Sequence, residues 1–411
     1  MKRTEMREHI FRMVFSYEFN SDQEMPQQMQ LYFEQLDQEP KEEDMAYIRD
    51  KALNVILKSE EIDEMLNEHV TGWKTSRMNK GDLSILRLAV YEMKYDEDIT
   101  SDEFALMGIN TTLHSAKPSF ANHKMFKKEL GENYVIASCY NGLLLGGGSY
   151  TLCRLILGNI AKRAKDKKDF FENQLPYVME RMALYMDERI RFEVEESGFF
   201  ESNFLAKEGF IHRDRFTAMF GMVGMAECVN ILMELEGKKG RFGHDKEADD
   251  LGVEIMEAIN AFNNAHVNPY CEATGGHFLL HAQVGIAQDK NITPGTRIPI
   301  GEEPKELIDQ LRHCSRFHKY FPSGTGDIFP VDVTVHKNPQ FVLDIVKGAF
   351  QADLRYLSFY ESDGDVIRVT GYLAKRSEIE KYQKGESVLQ NTTQLATGAT
   401  ENGHVQERRI R

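Results

Sequence analysis

The spacing of apolar residues changes near residue 100, and this change sets the limits on how the 411-residue chain can fold. From residue 6 to residue 95, apolar side chains recur at helical spacing with few strand signals. This pattern predicts an all-α segment over residues 1–99. The apolar faces of the expected helices are Met6, Ile10, Val14 and Phe15; Ile48, Ala52, Val55 and Ile56; Ile62, Met65, Leu66 and Val70; and Leu83, Leu86, Val90 and Met93, the last opened by Asp82 as N-cap.

Residues 100–411 have a different pattern, in which apolar helical stretches alternate with short strand-like runs. Helices are predicted over 150–162, 215–235 and 249–264, and a short apolar, β-prone stretch lies within 134–142. The alternation favours an α/β class. A content of 41% hydrophobic and 10% aromatic residues supports real cores in both segments.

Composition narrows the environment and the partners. No basic stretch followed by an apolar run opens the chain, and the longest weakly polar run, near residues 218–226, is too short to span a bilayer, so we expect a cytoplasmic protein that does not enter membranes. Five scattered cysteines without a C-x-x-C pair indicate free thiols. The net charge of −15 argues against non-specific nucleic-acid binding through a broad basic surface.

A conspicuous short motif is Arg368-Val369-Thr370-Gly371-Tyr372, which follows the alternating run 365–367. An unpaired electron on Cα is delocalised into both flanking amides only where that carbon can flatten, and a Cβ obstructs this. Glycine has no Cβ and tolerates strained backbone conformations. The alternative is that Gly371 only turns a hairpin between two apolar runs.

The run from Phe359 to Tyr382, with Tyr360, 367–373 and 375–380, resembles the YjjI family of glycyl radical enzymes. The resemblance implies a ten-stranded β/α barrel, of which residues 100–411 would be a part, with the radical loop region at 355–385. It also implies that Gly371 stores a radical under anaerobic conditions. In such families a separate radical S-adenosylmethionine activase with an iron-sulfur cluster installs that radical, and no tightly bound cofactor is expected in this chain.

A stored radical needs a cysteine on a second loop, and the run 134–142 carries Cys139 after a short β-prone stretch. By resemblance, Cys139 would form the thiyl radical that acts on a small-molecule substrate; the alternative is a buried packing cysteine. The neighbour of Cys139 is Ser138, whereas pyruvate formate-lyases have a second cysteine there. Tyr140-Asn141 offers no carboxylate, whereas diol dehydratases have a glutamate in this loop. The substrate therefore stays open.

Other polar clusters are weaker candidates. The turn-rich run 268–277 predicts a substrate cavity wall, with Glu272 or His277 as acid or base. Two sets of residues have spacings compatible with metal ligation but no clear fourth ligand, so no metal is predicted: Cys271, His277 and His281; and His313, Cys314 and His318. The loop 322–332 leads into an apparent strand at 331–335, and it is either part of the YjjI pattern or an ordinary connection.

A second family resemblance involves basic residues of the first expected helix. The NusB family of transcription antitermination factors is resembled by Lys2, Arg3, Arg7, 9–11 and 17–18, followed by Trp73, Arg77, Asp82, 85–89 and 91–93. This resemblance implies RNA binding through a basic first helix, in which Lys2, Arg3, Arg7 and Arg12 would supply the phosphate contacts, and pairing with a small ribosomal protein. The alternative is a solvated helix face, because residues 1–99 hold 13 Lys and Arg against 22 Asp and Glu, a net charge of −9.

Both patterns break off near Ile99-Thr100 without a spacer. We therefore expect a truncated NusB-like segment joined to a glycyl radical enzyme segment that lacks its N-terminal part. Incomplete segments leave apolar faces exposed, so we also expect reduced stability. Three hypotheses follow. The chain is an oxygen-sensitive radical enzyme, an RNA-binding module with a non-catalytic passenger, or an inactive chimera. The sequence leaves enzymatic activity undecided among them.

Overall fold

A computed structural model describes residues 1, 3–21, 23–36, 40–69, 74–96, 101–115, 117–137, 140–282, 292–299, 301–361, 365–369 and 372–388. The chain divides into two compact units, Met1–Phe104 and Ala105–Arg411. Cys139 and Gly371, the two predicted catalytic residues, and Lys2 lie outside the described residues.

The N-terminal unit is all-α in its described residues, as the periodicity predicts. Ile10, Val14, Ile48, Ala52 and Val55 form its buried centre. Its helices are α1 (Arg3–Tyr17), α2 (Met25–Glu34), α3 (Glu42–Leu57), α4 (Ser59–His69) and α5 (Lys80–Lys94), and the unit boundary falls within α6 (Ser101–Ser115).

The predicted N-cap of the fourth apolar face was wrong. Helix α5 begins at Lys80, and the side chain of Asn79 caps it by accepting the N–H of Gly81 at 2.8 Å. Asp82 lies in the first turn instead, where its negative charge favours the helix N-terminus. Asn and Asp are comparably good N-caps, so the sequence alone offers two plausible N-termini for this helix, three residues apart.

An ion pair joins the first and last long helices of this unit. Arg7 on α1 binds Glu92 on α5 through Nε and Nη2, which form one edge of the guanidinium, and Nε lies 2.8 Å from Glu92 Oε1. The Glu92 side chain is 0% exposed and that of Arg7 is 26% exposed. A buried carboxylate needs such a partner, because its transfer from water is costly when it is unpaired.

The C-terminal unit alternates helices with short strands. After α6 its helices are α7 (His123–Leu130), α8 (Leu157–Ala161), α9 (Lys167–Asp169), α10 (Leu175–Arg191), α11 (Phe199–Ser202), α12 (Phe204–Lys207), α13 (Met225–Leu235), α14 (Lys246–Ala265), α15 (Leu307–Ser315), α16 (Pro339–Gln351) and α17 (Arg376–Gln383). The strands are β1 (Phe120–Ala121), β2 (Tyr134–Ala137), β3 (Asn141–Leu144), β4 (Gly148–Ile156), β5 (Phe216–Val223), β6 (Leu279–Ala282), β7 (Asp327–Val331), β8 (Tyr356–Glu361), β9 (Val366–Val369) and β10 (Tyr372–Lys375).

The described strands form four separate sheets. Strands β4, β5 and β6 are parallel with β5 in the centre, and β7 is parallel to β8, which also pairs with β1 in antiparallel orientation. The hairpins β2–β3 and β9–β10 are antiparallel. The predicted α/β class is confirmed, and within the described residues the sheets do not join into a closed barrel.

Three predicted elements were wrong in part. The stretch 150–162 is mostly strand β4 with only a short helix after it, and 215–235 begins with strand β5 before helix α13. Every residue of β5 is buried, so its apolar run lacks the alternation of a half-exposed strand and cannot be told from a helix by period alone. The expected strand at 331–335 ends at Val331 and continues as a 3₁₀ turn, Val333–Lys337. The helix expected at 249–264 is confirmed as α14.

The larger core lies on the parallel β4–β5–β6 sheet, and its buried residues come from that sheet and from α10, α13 and α14. A second core packs α6, α15 and α16 against β7 and β8. None of the helices in the described part of the chain is both long and apolar enough to cross a membrane.

The Arg7–Glu92 pair gives a stability prediction. Arg7→Gln should lower the free energy of unfolding by roughly 2–3 kcal/mol, because it leaves the Glu92 carboxylate buried without its cation. Adding Glu92→Gln should restore part of the loss, since the buried charge is then removed. Urea unfolding followed by circular dichroism measures both. Arg12→Gln is the control, because Arg12 is 52% exposed, and it should leave the free energy unchanged. Equal effects of Arg7→Gln and Arg12→Gln would contradict a structural role for Arg7.

Candidate active site

The described residues flank both predicted catalytic positions. Strands β2 and β3 pair with Ala137 opposite Asn141, and Cys139 belongs to the segment that connects them. Strands β9 and β10 pair with Val369 opposite Tyr372, and Thr370 and Gly371 connect these two strands. Each position is thus bounded by a described antiparallel pair.

The turn after Cys139 is held by a loop from the other half of the unit. Tyr140 has a φ of 70°, in the left-handed region that side chains rarely adopt. Gly324 has a φ of 119°, and a Cβ on it would overlap the carbonyl oxygen of Tyr140. The N–H of Gly142 donates to the carbonyl of Ser323 at 2.5 Å. Glycine at 324 is therefore required both by the backbone conformation and by the close approach.

The Tyr140 ring is enclosed by an aromatic ring and a cation. Its centroid lies 4.3 Å from that of Tyr356, and the guanidinium carbon of Arg297 lies 5.9 Å from it. Burial raises the pKa of the Tyr140 hydroxyl, so this side chain stays neutral around pH 7. These contacts hold the Tyr140 ring in place and with it the turn that Tyr140 occupies.

Buried charges continue from this turn into β7. Arg297 Nε donates to the carbonyl of Gly326 at 2.8 Å and lies 3.4 Å from Asp327 Oδ1. Asp327 Oδ2 lies 3.0 Å from His318 Nε2, and His318 Nδ1 accepts the backbone N–H of Arg355 at 3.0 Å. Because Nδ1 accepts that bond, the proton of the neutral ring is on Nε2, which donates to Asp327. Burial lowers the pKa of His318, which agrees with a neutral ring.

Arg355 extends this network to helix α7. Its side chain is 0% exposed and makes a two-pronged contact with the Glu129 carboxylate, at 2.5 and 2.8 Å. Paired, hydrogen-bonded charges of this kind are costly to break and hold their elements in a fixed geometry.

The network also contains potential metal ligands. The ligand atoms of Cys314, His318 and Asp327 lie within 4.8 Å of one another, and all three residues are buried. Both ring nitrogens of His318 are already engaged in the hydrogen bonds described above. A metal ion would have to break one of them, so this cluster is better described as a hydrogen-bonded network than as a metal site.

Glu272 and His277 are less buried than the residues of the network. Glu272 is exposed in a 3₁₀ turn, and His277 Nδ1 lies 2.9 Å from the carbonyl of His266. His281, a few residues further along the chain, is buried beside the Ser323 loop. The N–H of Ser323 donates to the carbonyl of Leu280, and the N–H of Ala282 donates to the carbonyl of Gly324, so the two bonds lie on either side of His281. A role for Glu272 or His277 in acid–base chemistry stays a prediction.

The basic residues of α1 are in different environments. Arg7 is engaged by Glu92, as described above, whereas the exposed Arg12 pairs with Glu8 at 2.5 Å. Arg3 is the first residue of α1. RNA binding through Lys2, Arg3, Arg7 and Arg12 stays a prediction.

Sequence reasoning missed Arg297 entirely and considered His281 only as a metal ligand. Arg297 lies in a short irregular stretch between Thr296 and Ile298, with no periodicity or motif around it. Its role becomes visible only through contacts with Gly326, Asp327 and Tyr140, which lie far along the sequence.

Family comparisons identify the known class of protein to which the chain belongs. A family model described as "Glycyl radical enzyme YjjI-like" matches residues 88–411, and one described as "NusB family" matches residues 4–103. The chain belongs to the YjjI-like glycyl radical enzyme family, and its N-terminal segment belongs to the NusB family.

Individual relatives agree with this division. An uncharacterized protein of Haemophilus influenzae is 45% identical over 322 residues, which cover 78% of this chain and 62% of that protein. The transcription antitermination protein NusB of Agathobacter rectalis is 40% identical over 117 residues, which cover 28% of this chain and 86% of that protein. The chain spans about three fifths of the length of the curated YjjI-like relatives it matches.

Among solved structures, one from Roseburia inulinivorans that concerns 1,2-propanediol dehydration is similar in fold. Its TM-score is 0.53 with 12% sequence identity, and the match covers 79% of this chain and 55% of that one. At this identity the similarity supports the fold alone.

The contact between Gly324 and Tyr140 gives a second stability prediction. Gly324→Ala should destabilise the C-terminal unit by about 3 kcal/mol or more, because the added Cβ overlaps a backbone carbonyl and requires a disfavoured φ. Gly348→Ala is the matched control, since Gly348 lies in α16 with nothing within 4 Å of the added Cβ. That variant should gain about 0.5–1 kcal/mol. Urea unfolding compares the two, and a Gly324→Ala protein as stable as the wild type would disprove the close approach.

Proposed function

We propose that the C-terminal unit acts as a glycyl radical enzyme, in which Gly371 stores the radical and Cys139 forms a thiyl radical that acts on a small molecule. The observation that carries this proposal is the Tyr140 turn. Immediately after Cys139, the chain is fixed in a buried, left-handed turn against Gly324 and Arg297. Such a strained turn held by its surroundings is typical of functional sites.

Two further observations support the assignment of the residues. The YjjI-like family match covers residues 88–411 and so includes both positions. Strands β9 and β10, which flank Gly371, form a paired hairpin, and a glycine in such a connection has no Cβ to prevent the Cα from flattening.

The proposed chemistry conserves atoms and electrons at each step. A separate radical S-adenosylmethionine activase provides the radical that takes one hydrogen atom from Gly371 Cα. The Gly371 radical then takes the hydrogen atom of the Cys139 S–H, which leaves a sulfur radical. That sulfur takes a hydrogen atom from a substrate carbon, and the substrate radical then rearranges. The Cys139 thiol finally returns a hydrogen atom to the product radical.

The buried residues around the Tyr140 turn would protect these radicals. Tyr140 and Tyr356 cover one side of the turn, and both the Arg297 guanidinium and the carboxylate that faces it are buried. Exclusion of water from such a site prevents side reactions of reactive intermediates. Neither a second cysteine nor a carboxylate adjoins Cys139, since Ser138 precedes it and Tyr140-Asn141 follow. The reaction therefore need not be the acyl transfer or the dehydration of better-known glycyl radical enzymes.

Electron paramagnetic resonance in light and heavy water tests this proposal without a known substrate. After anaerobic co-expression with the activase, the wild type should give a doublet, which arises from coupling to the remaining Gly371 Cα hydrogen. The Cys139 S–H exchanges with solvent whereas the Gly371 C–H does not. Reversible transfer between the two should therefore introduce deuterium at Gly371 in heavy water and collapse the doublet.

The variants separate the two roles. Gly371→Ala should abolish the signal, and Cys139→Ser should keep the doublet in heavy water because the exchangeable thiol is gone. Cys153→Ser, a cysteine on β4 outside the turn, is the matched control and should behave as the wild type. A silent spectrum from a folded, activase-treated wild type would count against Gly371, and a wild-type doublet that never collapses would count against Cys139.

A further inference from the structure

Four buried polar atoms around the Tyr140 turn lack a hydrogen-bond partner among the described residues. They are Asn141 Oδ1, His281 Nδ1, Arg297 Nη1 and Ser323 Oγ. The residues Ser323, His281 and Arg297 are 0%, 1% and 4% exposed. Buried polar groups in folded proteins are nearly always hydrogen-bonded, so a cluster of unpartnered ones requires an explanation.

Hydrogen bonds join the chain segments that carry these four side chains. The segment with Asn141 is joined to Ser323 through the N–H of Gly142, and the Ser323–Gly324 backbone bonds on both sides of His281. Arg297 is joined to the same loop through the carbonyl of Gly326. The cluster begins two residues after Cys139, at Asn141.

The unpartnered atoms have a definite chemistry. Nε and Nη2 of Arg297 both donate to the Gly326 carbonyl, so Nη1 is the part of the guanidinium that remains for a ligand. A charged donor of this kind is best matched by a carboxylate oxygen. Ser323 Oγ can add a second donor, and Asn141 Oδ1 can only accept, so it requires a hydroxyl or an amine on the ligand.

The charge balance favours a monoanion. Asp327 lies 3.4 Å from Arg297 and offsets part of its charge, and burial lowers the pKa of His281 to about 4, so its ring is neutral at pH 7. A phosphate dianion would meet one partly neutralised cation, which is a poor match, and a neutral diol would offer Arg297 Nη1 no charged acceptor. His281 can donate to or accept from the ligand hydroxyl.

We propose that this cluster binds a small hydroxy-carboxylate, with its carboxylate on Arg297 and Ser323 and its hydroxyl on Asn141 and His281. On the proposed function, this ligand is the substrate class of the enzyme, because the cluster begins at Asn141, two residues after the proposed thiyl residue in the sequence. The proposal of binding itself requires neither the radical nor the activase.

Binding to the full chain, measured by calorimetry, tests this with matched pairs of acids and diols. The probes are glycolate, lactate and glycerate, each compared with the diol or triol in which a hydroxymethyl group replaces the carboxylate. At least one acid should bind saturably with a Kd below about 10 mM, and its neutral counterpart should bind roughly tenfold more weakly or not at all.

Variants assign the binding to the cluster. Arg297→Gln should remove detectable acid binding, and Ser323→Ala should weaken it by roughly three- to tenfold. Ser323→Ala removes a hydroxyl that has no partner among the described residues, so it should fold as the wild type even if Arg297→Gln does not. Ser315→Ala is the control outside the cluster, because its hydroxyl donates to the Arg312 carbonyl, and it should bind like the wild type.

The outcomes separate this inference from the proposed function. Absence of saturable binding by every acid, equal binding of acids and their neutral counterparts, or equal effects of Ser323→Ala and Ser315→Ala would each overturn the inference. Acid binding together with a silent radical spectrum would instead contradict the proposed function and leave the binding site intact.

Discussion

The close packing of Gly324 against the Tyr140 carbonyl is the constraint on which the rest of the site depends. Tyr140 is held in a left-handed conformation that costs about 1–2 kcal/mol for a residue with a side chain, and its contacts with Tyr356 and Arg297 offset that cost. The turn fixes the position of Asn141, the first residue of β3. Because Gly324 is glycine, the loop that begins at Ser323 can reach the turn closely enough to join it by a backbone hydrogen bond.

Buried charges give that loop its rigidity. Asp327 at the start of β7 forms an ion pair with Arg297 and accepts a hydrogen bond from His318. Arg355 binds both His318 and Glu129 on α7. A buried charge that lost its partner would be strongly destabilising, so the network tolerates few rearrangements. Within it, Arg297 keeps one guanidinium nitrogen unpaired at the turn. Arg297 would therefore contribute both to stability and to the proposed ligand recognition.

Much of the fold follows from the spacing of apolar residues, and the exceptions have a physical cause. The helical faces of α1, α3, α4 and α5 and the amphipathic α14 were predictable because one side of each is buried. Strand β5 was not, because a strand buried on both faces has no alternation. Cys139 and Gly371 came from the resemblance of short motifs, whereas Arg297 is defined only by contacts that the folded chain creates.

The proposed hydrogen transfer requires residues 139 and 371 to be neighbours, and a disulfide between them tests this requirement. In a Gly371→Cys variant under mild oxidation, a bond to Cys139 requires Cα atoms about 4.4–6.8 Å apart. We predict that peptide mapping finds the 139–371 disulfide, and that Gly385→Cys, with its thiol on an exposed turn, does not form a bond to Cys139. A folded Gly371→Cys protein in which both thiols remain free would contradict the proposed transfer of hydrogen between these two positions.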